Sequence, residues 1–95
     1  MTSPEYRGPA TLLADGQEIA VRVELSGDVP DFGLASWTGT VEPDDPRAAV
    51  GAVRRGRLRL PGGWEGGFAV MRTVLGSSTI WVRGNDPEAS PAGWP

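Results

Sequence analysis

Ile19, Val21, Val23 and Leu25 alternate with Ala20, Arg22, Glu24 and Ser26. A period of two places four large apolar side chains on one face of an extended strand and the polar ones on the other. An earlier run over residues 5–14 carries Tyr6, Gly8, Ala10, Leu12 and Ala14 in one register, and Asp15-Gly16 separates the two runs. Asp-Gly between alternating segments predicts a hairpin with a tight primed turn. Gly8 and Pro9 bend the first strand or set it at a sheet edge, because proline donates no ladder hydrogen bond.

Further strands follow the same logic. Gly27 to Gly33 reads as a loop with Asp28, Pro30 and Asp31 as turn formers. Over Ser36–Glu42, Trp37 and Val41 share one side and Thr38 and Thr40 the other. Asp44-Asp45-Pro46 resembles a helix start, with an aspartate cap and proline at the first position, and predicts one short helix over Arg47–Val53. Leu58 and Leu60 alternate with Arg57 and Arg59, and Pro61-Gly62-Gly63 ends that strand. Residues 67–75 fit helix or strand by period alone, and their flanking glycines and β-branched content favour a strand. Thr79 to Arg83 is a sixth strand carrying Ile80, Trp81 and Val82.

The pattern therefore predicts a mainly β fold: a small six-stranded antiparallel barrel over 1–84, with one short helix and an irregular, Pro-rich C-terminal tail over 85–95. Closure removes the sticky edges of a small open sheet. About eight strands are needed before a barrel holds even one small ligand, so this interior should be filled by its own side chains. Val21, Val23, Leu25, Trp37, Val41, Leu58, Val70 and Ile80 are the expected filling. A site then belongs at a barrel mouth, on the outer wall or in a dimer interface.

Composition narrows the chemistry. The chain has 95 residues, net charge −3, no cysteine and no histidine, and all nine cations are arginines. Disulfides, thiolate zinc sites and Ser-His or Cys-His catalysis are thereby excluded, and no lysine exists to form a Schiff base. The net charge opposes nucleic-acid or membrane-surface binding. No apolar run approaches the ~18 residues that span a bilayer, and the N-terminus has no signal-peptide pattern. The expectation is a cytoplasmic chain without cofactor or metal.

The pattern Tyr6-x-Gly8-x-Ala10-x-Leu12, Asp15-Gly16, Val21-x-Val23-x-Leu25-x-Gly27 and Trp37-x-Gly39-x-Val41 resembles an uncharacterised domain family common in actinobacteria. In that family the domain stands alone or follows flavin-dependent monooxygenases at their C-terminus. The likeness covers the first 43 residues and departs over Gly27–Gly33. It implies an actinobacterial origin and a link to oxidative or secondary metabolism, and it carries over no catalytic residue.

Two local signals stand out. Arg55, Arg57 and Arg59 project to one side of a strand and could grip a carboxylate or phosphate, though a solvated face paired with Glu24 or Glu42 is the commoner outcome. Gly62-Gly63-Trp64-Glu65-Gly66-Gly67 could form a lid, with Trp64 over an apolar ligand and Glu65 as acid or base. Its plainer reading is a hairpin connection with Trp64 folded onto the barrel end. Asp44 with Asp45, and Asp28 with Asp31, suit caps and turns better than a cation site. Tyr6 could stabilise an oxyanion, but a rim tyrosine bonded to a backbone carbonyl is commoner. Trp94 is either part of a free tail or an anchor on a neighbouring subunit, the latter implying a homodimer.

Two functions fit these tools. One is a non-catalytic interaction or small-ligand-binding accessory module, contacting a protein or a small apolar or anionic ligand, with Trp64, Trp81 or Trp94 exposed for the purpose. The other is a cofactor-free isomerase, cyclase or dehydratase, with Glu65, an aspartate, Tyr6 or an arginine at a barrel mouth and a carboxyl group of raised pKa.

Overall fold

The computed structural model describes residues 3–45, 47–48, 50, 52–73 and 76–95. Six strands are formed: β1 (Glu5–Ala14), β2 (Gln17–Asp28), β3 (Ser36–Pro43), β4 (Arg55–Arg59), β5 (Glu65–Thr73) and β6 (Ile80–Gly84). They close into an antiparallel barrel in the order β1-β2-β3-β6-β5-β4. No helix among the described residues is long and apolar enough to cross a membrane.

The β1–β2 turn has the geometry its dipeptide demands, with φ of 52° at Asp15 and 74° at Gly16. That turn sets Val21 opposite Ala10 and Val23 opposite Gly8, which fixes one face of both strands inward. Val21, Val23 and Leu25 are buried, as are Trp37, Val41, Leu58 and Ile80. Val70 is half-buried against them. Phe68, Leu12, Leu60 and Val82 complete the filling. The interior is thus a packed core, as expected for a barrel this narrow.

Each mouth is closed differently. Where β3 ends and β4 begins, Val50 and Val53 are buried and plug the barrel. This is where the sequence predicts a helix, and none of the described residues of 47–53 is helical; Pro46, Ala49 and Gly51 lie outside the described residues. The aspartate caps a turn instead. Asp45 Oδ1 accepts the Arg47 N–H at 2.9 Å, and isolated bonds from Ala48 to Asp45 O and from Val53 to Val50 O follow. So short a segment gains little from nucleating a helix, and inserting two valines gains more. Among the described residues the one helical turn is a 3₁₀ turn over Pro91–Gly93 in the tail. It caps the other mouth, with Pro91 fully buried.

Closure is incomplete on one side. β1 pairs with β2 along its whole length but with β4 only through Thr11–Leu13. The first half of β1 therefore leaves one edge without a strand partner. Pro9 has no N–H to offer there, and its carbonyl accepts the Tyr6 hydroxyl at 2.5 Å. That blunts the edge against pairing with another chain.

Candidate functional site

Three tryptophans gather at the mouth capped by the tail. Trp37 points inward from β3, Trp64 precedes β5 and Trp94 comes from the tail. Their rings meet edge-to-face, with centroids 5.8 to 6.2 Å apart, a geometry that aromatic quadrupoles favour. The Trp64 indole N–H donates to Ser90 O at 2.8 Å, tying the tail to the barrel. Gly84 gives Trp37 its seat, since any Cβ at residue 84 would collide with the indole. The indole N–H groups of Trp37 and Trp94 are buried without an acceptor among the described residues. A cleft of about 280 Å³ opens beside this cluster, between Leu34 on the β2–β3 loop and Asn85-Asp86 after β6.

The Gly-Gly-Trp-Glu-Gly-Gly segment is a hairpin connection. Leu60 N–H donates to Trp64 O at 2.8 Å, and Gly62 and Gly63 turn the chain with φ of 94° and 102°. Such angles suit glycine alone at low cost. Trp64 is folded onto the barrel end. Glu65 opens β5 on the outer face, where Arg57 Nε meets its Oε1 at 2.7 Å and Arg59 Nε its Oε2 at 3.6 Å. The Arg57 hydrogen bond, aided by the charges of Arg57 and Arg59 and opposed by partial desolvation, holds Glu65 below the usual glutamate range. It is therefore a committed carboxylate rather than a poised acid.

The arginine cluster divides. Arg57 also reaches Asp86 at 3.6 Å, and Arg59 reaches Glu18 at 3.0 Å. The partners are thus Glu65, Asp86 and Glu18, while Glu24 pairs with Arg7 at 3.3 Å. Arg55 has no ion-pair partner among the described residues. Tyr6, spent on the Pro9 carbonyl, lies at the rim beside β1. A second cleft of about 380 Å³ runs along the open edge there, between Pro9–Thr11 and Arg59–Gly63. No cluster of three potential metal ligands exists among the described residues.

A different surface collects what the core and the tail leave uncovered. Trp81 points outward from β6 and is 39% exposed, and Met71, at the irregularity between Val70 and Arg72 in β5, is 58% exposed. Arg72 stands over the Trp81 ring with its guanidinium carbon 4.9 Å from the centroid. Arg83 and Arg55 flank Ala69, one from each neighbouring strand. Of the three candidate tryptophans, Trp81 is the one the structure leaves on the surface. Arg72, Arg83 and Met71 were not singled out from sequence. One signal was available: Trp81 and Arg83 alternate with Ile80 and Val82, and no acidic residue occurs between Glu65 and Asp86. A second exposed apolar pair, Phe32 and Leu34, lies on the β2–β3 loop.

The family described as Domain of unknown function (DUF4873) matches residues 3–87, and the chain belongs to it. No curated protein and no solved structure matches the chain.

Proposed function

We propose that this member of the family is a non-catalytic interaction module whose contact face is the outer wall around Trp81. The observation that carries the reading is the exposure of Trp81 and Met71 beside arginines that have no acid partner among the described residues. Trp, Met and Arg are the side chains most enriched where proteins meet, and a large aromatic half-open to water gains most from being covered. The first 43 residues resemble domains that accompany monooxygenases, so the partner would be an enzyme of oxidative or secondary metabolism.

The rival reading, a cofactor-free isomerase, cyclase or dehydratase, needs a free acid or hydroxyl at a mouth. Its two nominees are otherwise engaged, Glu65 with Arg57 and Tyr6 with the Pro9 carbonyl. The interior offers no room beside them.

A photoactivatable benzophenone amino acid placed at residue 81, with residue 20 on the far wall as control, tests the reading in extract from the source cell. A discrete cross-linked species from residue 81 alone is expected. Equal labelling from both positions, or none from either, overturns it.

A further inference from the structure

We infer that the wall around Trp81 docks an acidic protein segment carrying an aliphatic or aromatic side chain. The inference rests on the interaction-module reading and adds the chemistry of the partner.

Charge is segregated on this barrel. Arg7, Arg47, Arg57 and Arg59 each meet a carboxylate. Arg22, Arg54, Arg55, Arg72 and Arg83 meet none among the described residues; Arg22 stands on β2 with Glu42 opposite it and Arg54 just precedes β4, whereas Arg55, Arg72 and Arg83 share the β4-β5-β6 wall. The register keeps acids away from these three. One outward row reads Arg55, Ala69, Arg83, Thr38 and the next reads Arg72, Trp81, Thr40. Neither row holds an acid until β2. In a chain of net charge −3, this wall is the cationic exception.

Shape selects among anions. Arg55 and Arg83 stand two strand spacings apart, roughly 10 Å between Cα atoms, with only the Ala69 methyl between them. Two guanidinium groups so placed can each take a separate carboxylate bidentately. The wall is a convex barrel face, whereas the two clefts described above lie at the tryptophan mouth and beside β1. A small anion has no pocket to enter here. A long polyanion such as nucleic acid would feel the repulsive field of the whole acidic chain. Trp81 and Met71 need an apolar complement, which a protein segment supplies together with its carboxylates.

The test uses the full isotope-labelled chain and its four indole N–H signals. The probe is a short peptide of glutamates around one leucine, and its counterpart has glutamine in place of every glutamate. The glutamate peptide should move the Trp81 indole and the amides of Ala69, Arg72 and Arg83, leaving the Trp37 and Trp64 indoles in place. Affinity should fall roughly fivefold as salt rises from about 50 to about 300 mM, because exposed charges are then screened. The double substitution Arg55→Glu with Arg83→Glu should weaken binding about tenfold through like-charge repulsion, with Trp37 and Trp64 signals certifying the fold. Equal action of both peptides, or shifts confined to the Phe32–Leu34 loop, overturns the inference. So does a concentration-dependent shift of Trp81 without peptide, which would make the partner a second copy. A cross-link from residue 81 that these charge reversals leave unchanged refutes the acidic partner and leaves the module reading standing.

Discussion

Trp64 and Trp81 are indoles of one small barrel that meet opposite fates. Trp64 is half-buried, its N–H bonded to Ser90 O and its ring set between Trp37 and Trp94. Trp81 is exposed on the outer wall, with Arg72 over its ring. The tail brings Ser90 and Trp94 against the first. Covering a tryptophan is therefore within this chain's means, and one left exposed beside arginines without an ion pair among the described residues supports the proposal that this wall is a contact face. The same contrast separates the arginines. Arg57 and Arg59 lie among acids and stabilise the barrel locally, whereas Arg55, Arg72 and Arg83 make no ion pair among the described residues.

The largest effect that can break this contrast is at Trp64. Replacing Trp64 with Ala removes the ring between Trp37 and Trp94 and one of the two hydrogen bonds that Ser90 O accepts, at about 3 kcal/mol for a part-buried indole. Urea unfolding measures the loss. Trp64→Phe keeps most of the ring and loses the hydrogen bond, so it should cost about 1–2 kcal/mol. In both variants the amides of Gly93 and Trp94, which now bond within the tail turn, should exchange with solvent sooner than those of β2. Unchanged stability in Trp64→Ala would mean that the tail packs for another reason, and the difference from Trp81 would dissolve.

The barrel was legible in the sequence because its signals are local. Asp15-Gly16 encodes a turn, and alternation of Val21, Val23 and Leu25 encodes a face, so register follows from neighbours in the chain. The helix expected over Arg47–Val53 went astray because Asp45 serves a turn as well as a cap, and the choice was made by burial of Val50 and Val53 at a mouth built from distant strands. Residues Glu65 and Tyr6 were visible as chemistry but not as partners. Arg57 lies eight positions from Glu65 across the β4–β5 ladder, and Glu18 lies 41 from Arg59. Only closure of the barrel decides which arginine finds an acid. That is also why the Trp81 wall could not be read beforehand: its cationic character depends on which strands closure sets beside β5 and β6, and their outward positions there carry Arg55, Arg72 and Arg83 without a nearby acid.

A smaller effect sharpens the arginine half of the contrast. Glu65 is held below its ordinary value of 4.5 by the Arg57 hydrogen bond. A carboxylate whose folded pKa is depressed binds protons more readily when unfolded, so it contributes stability above the unfolded value and loses it as pH falls through the folded one. Stability of the native chain should therefore decline below about pH 4.5 in part through this pair, using the ordinary glutamate value as the upper edge of the window. Glu65→Gln should be less stable than the native chain at neutral pH, with the difference shrinking on acidification. Parallel urea midpoints taken across that range read the change directly. A difference that stays constant with pH would show that Arg57 does not favour the Glu65 carboxylate. Arg57 would then resemble Arg55, and the division of the cluster would lose its ground.

The smallest expected change in stability belongs to Trp81→Ala. Its side chain is 39% exposed, and the exposed cation–π contact with Arg72 is worth about 0.5–1 kcal/mol at most. Surface substitutions of this kind typically alter folding by about 0.5 kcal/mol or less. The urea midpoint should barely move, with relief of exposed apolar area offset by loss of strand propensity, since tryptophan favours a pleated surface. What distinguishes the residue is the disproportion between the two measurements made on it. Binding through the wall should fall by an order of magnitude or more, as truncating a central aromatic does, while folding is nearly untouched. Were Trp81→Ala instead to unfold the barrel as readily as Trp64→Ala, the indole would be a structural member of the β6 wall, and its exposure would no longer argue for a partner.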